Sequence, residues 1–256
     1  MVLPDPYTSN REWGQSLPFY NLPVFLHYQR YALSLPQSHQ HWASIIELNG
    51  YNAIAIGPGI GKDGETQWAF RAQLKMLLDL ETSGNPMPLV LDADALNILA
   101  QDYQLLTYLP AETVLTPHIG ELKRICAALE LPHETTEEQL SSAQSIATSL
   151  QVHVVVKSHQ THICTNDGEV FQLDTQGNSG MAKAGSGDVL TGIIGSLLAQ
   201  GYSAKSATLL GVYIHHQSGW RATVRYGEHS ALASDFIAEI PHAFSTLVSS
   251  NASQNE

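Results

Sequence analysis

The sequence predicts an α/β protein in which a mainly parallel sheet lies between two layers of helices. From Tyr51 onward, short apolar segments typical of buried strands alternate with longer segments whose apolar residues recur at helical spacing. This alternation is typical of βαβ units. No internal repeat interrupts it, so a single α/β domain accounts for residues 41–245.

Each element is predicted from its local pattern. The predicted strands are 52–56, 89–91, 113–115 and 152–156, followed by a hairpin of 161–165 and 169–173 around the turn Asn166-Asp167-Gly168. The predicted helices are 65–80, 95–100, 120–129, 137–150, 188–199, 204–225 and 231–240. Residues 1–40 are punctuated by proline and are expected to be irregular. Residues 246–256 form a polar tail, of which Ser249–Glu256 is expected to be disordered.

Composition excludes several function classes. The 256 residues include 12 Lys and Arg against 24 Asp and Glu, a net charge of −12, and 43% are apolar. An intrinsically disordered chain would be poorer in apolar residues, and a sequence-independent nucleic-acid binder would carry a basic stripe. Small anionic ligands are still possible partners, because a few backbone amides can bind them whatever the total charge.

The chain is expected to work in the cytoplasm. Its two cysteines, Cys126 and Cys164, are far apart and form no CxxC pair, so neither a disulfide framework nor a thiolate metal site is expected. The first 30 residues contain no apolar leader segment, and no apolar run reaches the length of a membrane span.

A glycine-rich turn follows the first predicted strand, at Gly57-Pro58-Gly59-Ile60-Gly61-Lys62. Its spacing fits neither the GxGxxG dinucleotide fingerprint nor the Walker A loop. Two interpretations stay open: a tight turn, or a stretch of backbone that a ligand approaches closely.

Other candidate residues follow the later strands. His118 and Glu121 open a helix near the expected ligand crevice, where they either serve the site or simply cap the helix. Lys157 ends a strand, where it could meet a phosphate or face solvent. Asp92 and Asp94 could bind a metal or cap a helix. His215 and His216 lie in an apolar helix and are expected to have packing or helix-surface roles.

The segment Gly185-Ser186-Gly187-Asp188 is the most informative. It runs directly into a long apolar helix, so free backbone amides and the positive end of the helix dipole converge on one point, which predicts an anion site. The same dipole is expected to keep Asp188 ionised and ready to accept a proton or orient a hydroxyl.

Five segments together resemble a known family. They are AIGPGIG (55–61), VLDADALN (90–97), TPHIGE (116–121), VVVKSHQT (154–161) and NSGMAKAGSGDVLTG (178–192). Their order and approximate spacing are similar to those of the ADP/ATP-dependent (S)-NAD(P)H-hydrate dehydratases of the ribokinase-like superfamily. The resemblance covers roughly residues 50–242. It implies a three-layer α/β/α sandwich and an enzyme that repairs hydrated nicotinamide cofactors.

The resemblance also implies roles for individual residues. Asp188 would be catalytic and contact substrate, together with Gly59 and His118. The amides of Gly185, Ser186 and Gly187 would form an anion hole for the transferring phosphoryl group. The nucleotide site would comprise Lys157, Ser158, His159, Gln160, Thr161 and Gly187. Glu121 would lie near Mg²⁺, and ADP, slightly favoured over ATP, would donate the phosphoryl group.

The chain departs from the family pattern at its start, because no glycine-rich strand–helix segment precedes residue 18. A truncated product, a part of a longer bifunctional enzyme, or a pocket completed by another subunit would each explain this, and a sheet edge would then be exposed or covered by the N-terminus. Pairing with an NAD(P)H-hydrate epimerase and homo-oligomer formation are further expectations. The alternatives are a small-molecule kinase of the same fold and an inactive nucleotide-binding remnant.

Overall fold

A computed structural model describes residues 2–3, 50–173 and 179–252, and the structural statements below concern these residues. Seven strands form one sheet in the order β1-β7-β6-β5-β4-β3-β2. The strands are β1 (Val2–Leu3), β2 (Ile54–Ile56), β3 (Leu89–Leu91), β4 (Val114–Leu115), β5 (His153–Val156), β6 (His162–Cys164) and β7 (Val170–Leu173). Neighbours from β2 to β5 are parallel, whereas β6 is antiparallel to both β5 and β7.

The helices form two layers, one on each face of the sheet. They are α1 (Gly64–Thr82), α2 (Ala93–Gln101), α3 (Ile119–Ala128), α4 (Thr136–Leu150), α5 (Ser186–Ala199), α6 (Ala204–Tyr226) and α7 (Ala233–Ala252). Alternate strand residues point to opposite faces, so Leu89 and Leu91 pack with α1–α4 while Val90 packs with α5–α7. The prediction of a three-layer α/β/α sandwich with a mainly parallel sheet is therefore confirmed.

One edge of the sheet is covered by the start of the chain. Val2–Leu3 pairs in parallel with β7, through the partners Val2 with Gln172 and Leu3 with Leu173. Apart from this strand, the segment 1–40 that was predicted to be irregular lies outside the described residues. Among the described strands, the opposite edge is formed by β2, which pairs only with β3.

Helix starts follow the capping rules. Asp63 caps α1 by accepting hydrogen bonds from the backbone amides of Glu65 and Thr66, and Thr135 forms a capping box with Glu138 at α4. No helix within the described ranges is both long and apolar enough to cross a membrane.

The last helix corrects two expectations. It was predicted to end at Ile240, before a proline, but α7 continues through Pro241 to Ala252, so the first residues of the polar tail are helical. Proline only removes one amide donor and bends a helix locally. Buried side chains on both sides of it, such as Phe236 and Ala243, keep α7 packed against the core. Two short 3₁₀ helices, Tyr103–Tyr108 and Ser179–Met181, were not predicted.

Candidate active site

The candidate site lies at the carboxyl ends of the parallel strands β2 to β5, where open α/β sheets bind their ligands. Gly57 follows β2, Asp92 follows β3, Thr116 follows β4 and Lys157 follows β5. The amide of Lys157 donates to the carbonyl of Pro117 at 2.8 Å, which extends the β4–β5 pairing beyond the strands. The sheet thus brings together residues that are separated by up to a hundred positions.

A buried ion pair forms the floor of the site. The carboxylate of Asp92 is 1% exposed, and its Oδ1 accepts from Lys157 Nζ at 2.6 Å. Its Oδ2 accepts from Thr191 Oγ1 of α5 at 2.9 Å. Asp92 makes no side-chain bond to the start of α2, so its role is to hold Lys157 and α5 rather than to cap a helix. Lys157 is consequently a partly buried side chain that is held by a carboxylate, and its role as a phosphate ligand stays a prediction.

The glycine-rich turn after β2 packs directly on this floor. Gly57 has φ +140°, and a Cβ there would lie 1.7 Å from the carbonyl oxygen of Asp92, so only glycine fits. The amide of Gly61 donates to Asp94 Oδ2 at 3.0 Å, which ties the turn to α2. Gly59 has φ +69° and no atom of the described residues within 4 Å of its Cβ position, so within this part of the chain it lies open at the mouth of the site.

The start of α5 lies beside the Asp92–Lys157 pair, in the helix layer on the other side of the sheet from α1–α4. Gly185 is the N-cap residue with φ +83°, and a Cβ on Gly187 would lie 3.3 Å from Lys157 Nζ and 3.4 Å from Asp92 Oδ2. Of the predicted free amides, that of Ser186 is already bonded to the carbonyl of Lys183 at 3.1 Å. Those of Gly187 and Asp188 have no protein acceptor within the described part of the chain. Two amides and one ammonium therefore converge where an anion was predicted.

Asp188 is exposed in the first turn of α5, beside this point. Partial desolvation, and then the nearby negative charge of Asp92, raise its pKa above the ordinary value, while Lys157 acts in the other direction. The helix dipole is therefore not the dominant influence on this carboxylate, and the expectation that Asp188 is ionised stays a prediction. A raised pKa makes Asp188 a better proton acceptor than a free aspartate.

His118 and Glu121 form a capping box at the start of α3. His118 Nδ1 accepts from the amide of Gly120 at 2.9 Å, and Glu121 Oε2 accepts from the amide of His118 at 2.8 Å. Glu121 is buried, and this burial raises its pKa against the lowering effects of the His118 amide and Lys157. The imidazole of His118 is half exposed and lies at the ligand edge of the sheet, so capping and ligand contact are compatible.

The predicted nucleotide residues follow β5. Residues 158–160 are exposed in a bend between β5 and β6, in which the hydroxyl of Ser158 donates to the carbonyl of Gln160. The carbonyl of Thr161 accepts from the amide of Leu173 at 3.0 Å, which anchors the end of the bend. The fold therefore brings 157–161 and Gly187 to the same end of the sheet, on the β5 side of α5.

Comparison with known proteins identifies the family of this chain. The profile of the Carb_kinase family, described as NAD(P)H-hydrate dehydratase, matches residues 8–242. The chain belongs to this family. The match is wider than the region 50–242 that carries the five motifs.

Individual relatives of this NAD(P)H-hydrate dehydratase family agree. The chain is 36% identical over 196 residues to the bifunctional NAD(P)H-hydrate repair enzyme of Moorella thermoacetica, covering 77% of this chain and 35% of that protein. It is 34% identical over 174 residues to the ADP-dependent (S)-NAD(P)H-hydrate dehydratase of Neisseria meningitidis, covering 67% and 55%. The chain thus spans about a third to a half of the length of these curated relatives.

A solved structure shares the fold. The ADP/ATP-dependent NAD(P)H-hydrate dehydratase from Bacillus subtilis, co-crystallised with ATP and Mg²⁺ and soaked with CoA, superposes with a TM-score of 0.65. It is 26% identical in sequence, and the match covers 87% of this chain and 77% of that one.

Two residues that hold the site of this dehydratase-family chain were missed. Thr191 has no sequence signal beyond its position one turn after Asp188. His215 was predicted to have a packing or helix-surface role, but its Nε2 lies 3.1 Å from Ser186 Oγ and 2.9 Å from Ser186 O. Burial lowers the pKa of His215 to about 4, so the ring is neutral at physiological pH. A histidine on a buried helix face needs a polar partner, and that requirement was the available signal.

The prediction of Mg²⁺ near Glu121 requires only one or two protein carboxylates, not a complete set of protein ligands. Within the described residues, no group of three or more His, Cys, Asp or Glu side chains is arranged to hold a metal ion. Mg²⁺ that arrives with a nucleotide needs only one or two protein carboxylates, because phosphate oxygens and water supply its other ligands. Glu121 and Asp188 are compatible with that smaller requirement, and the assignment of Glu121 stays a prediction.

Proposed function

We propose that this chain repairs hydrated nicotinamide cofactors by converting (S)-NADHX and (S)-NADPHX to NADH and NADPH at the expense of ADP or ATP. The observation that carries the proposal is the meeting of the α5 start, Asp188 and the Asp92–Lys157 pair at one end of the sheet. Family membership supports the reaction, and the Neisseria relative named as ADP-dependent supports a slight preference for ADP as donor.

The first step is phosphoryl transfer to the ring hydroxyl of the hydrate. Asp188 accepts a hydrogen bond from this hydroxyl and takes its proton as the new P–O bond forms and the bond to the leaving nucleotide breaks. The amides of Gly187 and Asp188 and the Lys157 ammonium stabilise the equatorial oxygens of the transferring group. When bound, Mg²⁺ would neutralise charge on the donor phosphates, with Glu121 as the predicted carboxylate near it.

The second step is elimination. The C–O bond of the phosphate ester breaks, inorganic phosphate leaves with its electron pair, and the neighbouring ring carbon loses a proton to the departing phosphate or to water, so that the net result is dehydration. Phosphate is a far better leaving group than hydroxide, which is why one phosphoanhydride bond is spent. The residues of this chain need only hold the ring, and Gly59 and His118 at the mouth of the site are the predicted contacts.

We also propose a partner activity for this chain. Relatives that are bifunctional repair enzymes support pairing of this chain with a second activity, for which an NAD(P)H-hydrate epimerase is our candidate. A homo-oligomer and a cytoplasmic location are kept as predictions.

The test follows reduced-nicotinamide absorbance after mixing protein, hydrated cofactor and Mg²⁺ with ADP or ATP separately. We expect turnover with wild-type protein, and a loss of about 10²–10⁴-fold in kcat for Asp188→Asn. Asp79→Asn is the matched control, because Asp79 is exposed on α1. Folded wild-type protein that consumes nucleotide only with an unrelated alcohol would favour the kinase alternative, and no turnover with any acceptor would favour the inactive remnant.

A further inference from the structure

A second cavity opens next to the candidate active site, between α2 and α3. It has a volume of about 500 Å³, within the range of small-molecule sites. Its walls include Lys62, Asn97, Gln101 and Arg124, together with alanines of α2 and α3. The lining thus contains two cations and no carboxylate among the described residues, in a chain of net charge −12.

Two residues of the cavity wall are neighbours of the predicted substrate residues. Lys62 follows the Gly57–Gly61 turn, and the Gly61 amide is fixed by its bond to Asp94. On the other wall, Arg124 Nη1 and His118 Cε1 both lie within 4 Å of the point where a Cβ of Gly120 would stand. The guanidinium therefore lies beside the imidazole that we assign to substrate binding.

Arg124 is held in place for ligand contact. Its Nε donates to Asn97 Oδ1 at 2.9 Å, which orients the guanidinium across the gap between α3 and α2. Because this bond uses only Nε, the two terminal nitrogens of the planar guanidinium can bind two oxygens of a phosphate at once. The facing wall is also ordered, because Gln67 Nε2 donates to the carbonyl of Lys62 at 2.9 Å and to Gln101 Oε1 at 3.1 Å.

The position of the cavity separates it from the nucleotide residues. The bend 157–161 lies beyond β5, whereas Lys62 and α2 belong to the β2–β3 side of the sheet. The α5 start lies between them. Two phosphate-bearing ligands can therefore reach Asp188 from opposite sides, one over β5 and one over β2 and β3.

We infer that the Lys62–Arg124 cavity binds a phosphate of the hydrated dinucleotide and thereby holds the half of the substrate that does not react. The inference rests on the proposed function, because it takes the dinucleotide as the substrate. Two phosphates could fill this role: the diphosphate common to both cofactors, or the 2′-phosphate present only in the NADPH form.

The experiment measures equilibrium binding of NADH and NADPH, the reaction products, through their fluorescence. We expect Lys62→Gln and Arg124→Gln each to weaken binding by about three- to tenfold, as for loss of one solvent-accessible charged contact. Lys123→Gln is the matched control, since it removes the same charge from the neighbouring position on α3 and should change affinity by less than about twofold. Unchanged melting temperatures establish that the variants are folded.

The two ligands distinguish the phosphates. Equal weakening for NADH and NADPH assigns the cavity to the diphosphate, and weakening for NADPH alone assigns it to the 2′-phosphate. If neither ligand loses affinity in Lys62→Gln or Arg124→Gln, or if Lys123→Gln loses as much, the inference is overturned.

Steady-state kinetics with the hydrate distinguish failure of the cavity inference from failure of the proposed function. In both cavity variants KM for the hydrate should rise while kcat and the affinity for ADP stay unchanged. Wild-type protein that binds NADPH through the cavity yet dehydrates nothing would refute the proposed function alone. Normal dehydration with unaltered KM in the variants would refute the cavity alone.

Discussion

Asp92 and Asp188 lie at the same edge of the sheet and contact the same lysine electrostatically, yet the fold treats them in opposite ways. Asp92 is buried at the end of β3, with both carboxylate oxygens bonded, one to Lys157 and one to Thr191. Asp188 is exposed at the start of α5, where desolvation and Asp92 raise its pKa.

The difference assigns a structural role to Asp92 and a chemical role to Asp188. A carboxylate that is buried with both oxygens bonded fixes its neighbours and is not accessible to a substrate hydroxyl. A carboxylate that is open to ligand and has a raised pKa can take a proton, but it contributes little to folding. Substitutions at the end of β3 should therefore lower the free energy of unfolding, whereas substitutions at the start of α5 should lower kcat.

The largest expected effect concerns the backbone beneath Asp92. Gly57→Ala places a Cβ 1.7 Å from the carbonyl oxygen of Asp92 at φ +140°, so β2 and β3 must separate. We expect a loss of at least about 3 kcal/mol in the free energy of unfolding, measured by denaturant titration. Gly59→Ala is the control: with φ +69° and no described atom within 4 Å, it should lose only about 1 kcal/mol. Similar losses at both positions would show that Gly57 is not packed on Asp92.

The next effect breaks the ion pair itself. Asp92→Asn leaves the Lys157 ammonium, only 23% exposed, without its directly paired carboxylate, and should lower the free energy of unfolding by about 2–3 kcal/mol. Because the two residues share one interaction, the double variant Asp92→Asn/Lys157→Gln should lose at least about 1 kcal/mol less than the sum of the single variants. Strict additivity in this cycle would mean that the pair is not formed.

These partnerships mark the limit of prediction from sequence. The strand–helix alternation and the residues after each strand were sufficient to predict the sheet and to gather Gly59, His118, Lys157 and Asp188 at one edge. Pairing of side chains was not predictable, because Asp92 meets Thr191 across 99 positions and Lys157 across 65. The upward shift in the pKa of Asp188 was not predictable for the same reason: the dipole is a local feature, whereas desolvation and Asp92 act through the fold.

A smaller effect tests whether His215 is needed to position the start of α5. Neutral His215 lies against Ser186 Oγ and O, so we class it as a positioning residue for the anion site. His215→Ala should lower kcat about tenfold through misplacement of the Gly187 and Asp188 amides, with KM for the hydrate nearly unchanged. His215→Gln, whose amide nitrogen can replace Nε2, should restore most of kcat. Equal losses in both variants, or a rise in KM alone, would contradict a positioning role.

The smallest effect is in stability, and its sign differs from that at Asp92. Because the pKa of Asp188 is raised in the folded protein, the folded state binds this proton more tightly than the unfolded state. Its contribution to the free energy of unfolding therefore falls as pH rises from the ordinary 3.8 through the raised pKa. Asp188→Asn, which does not titrate, should be as stable as wild type or slightly more stable at neutral pH, within about 0.5 kcal/mol, and this difference should vanish below the ordinary pKa. Denaturant titrations of both proteins across this pH range provide the measurement. If Asp188→Asn were as destabilising at neutral pH as Asp92→Asn, the two carboxylates would share one structural role, and Asp188 would not be the residue that the fold leaves free for chemistry.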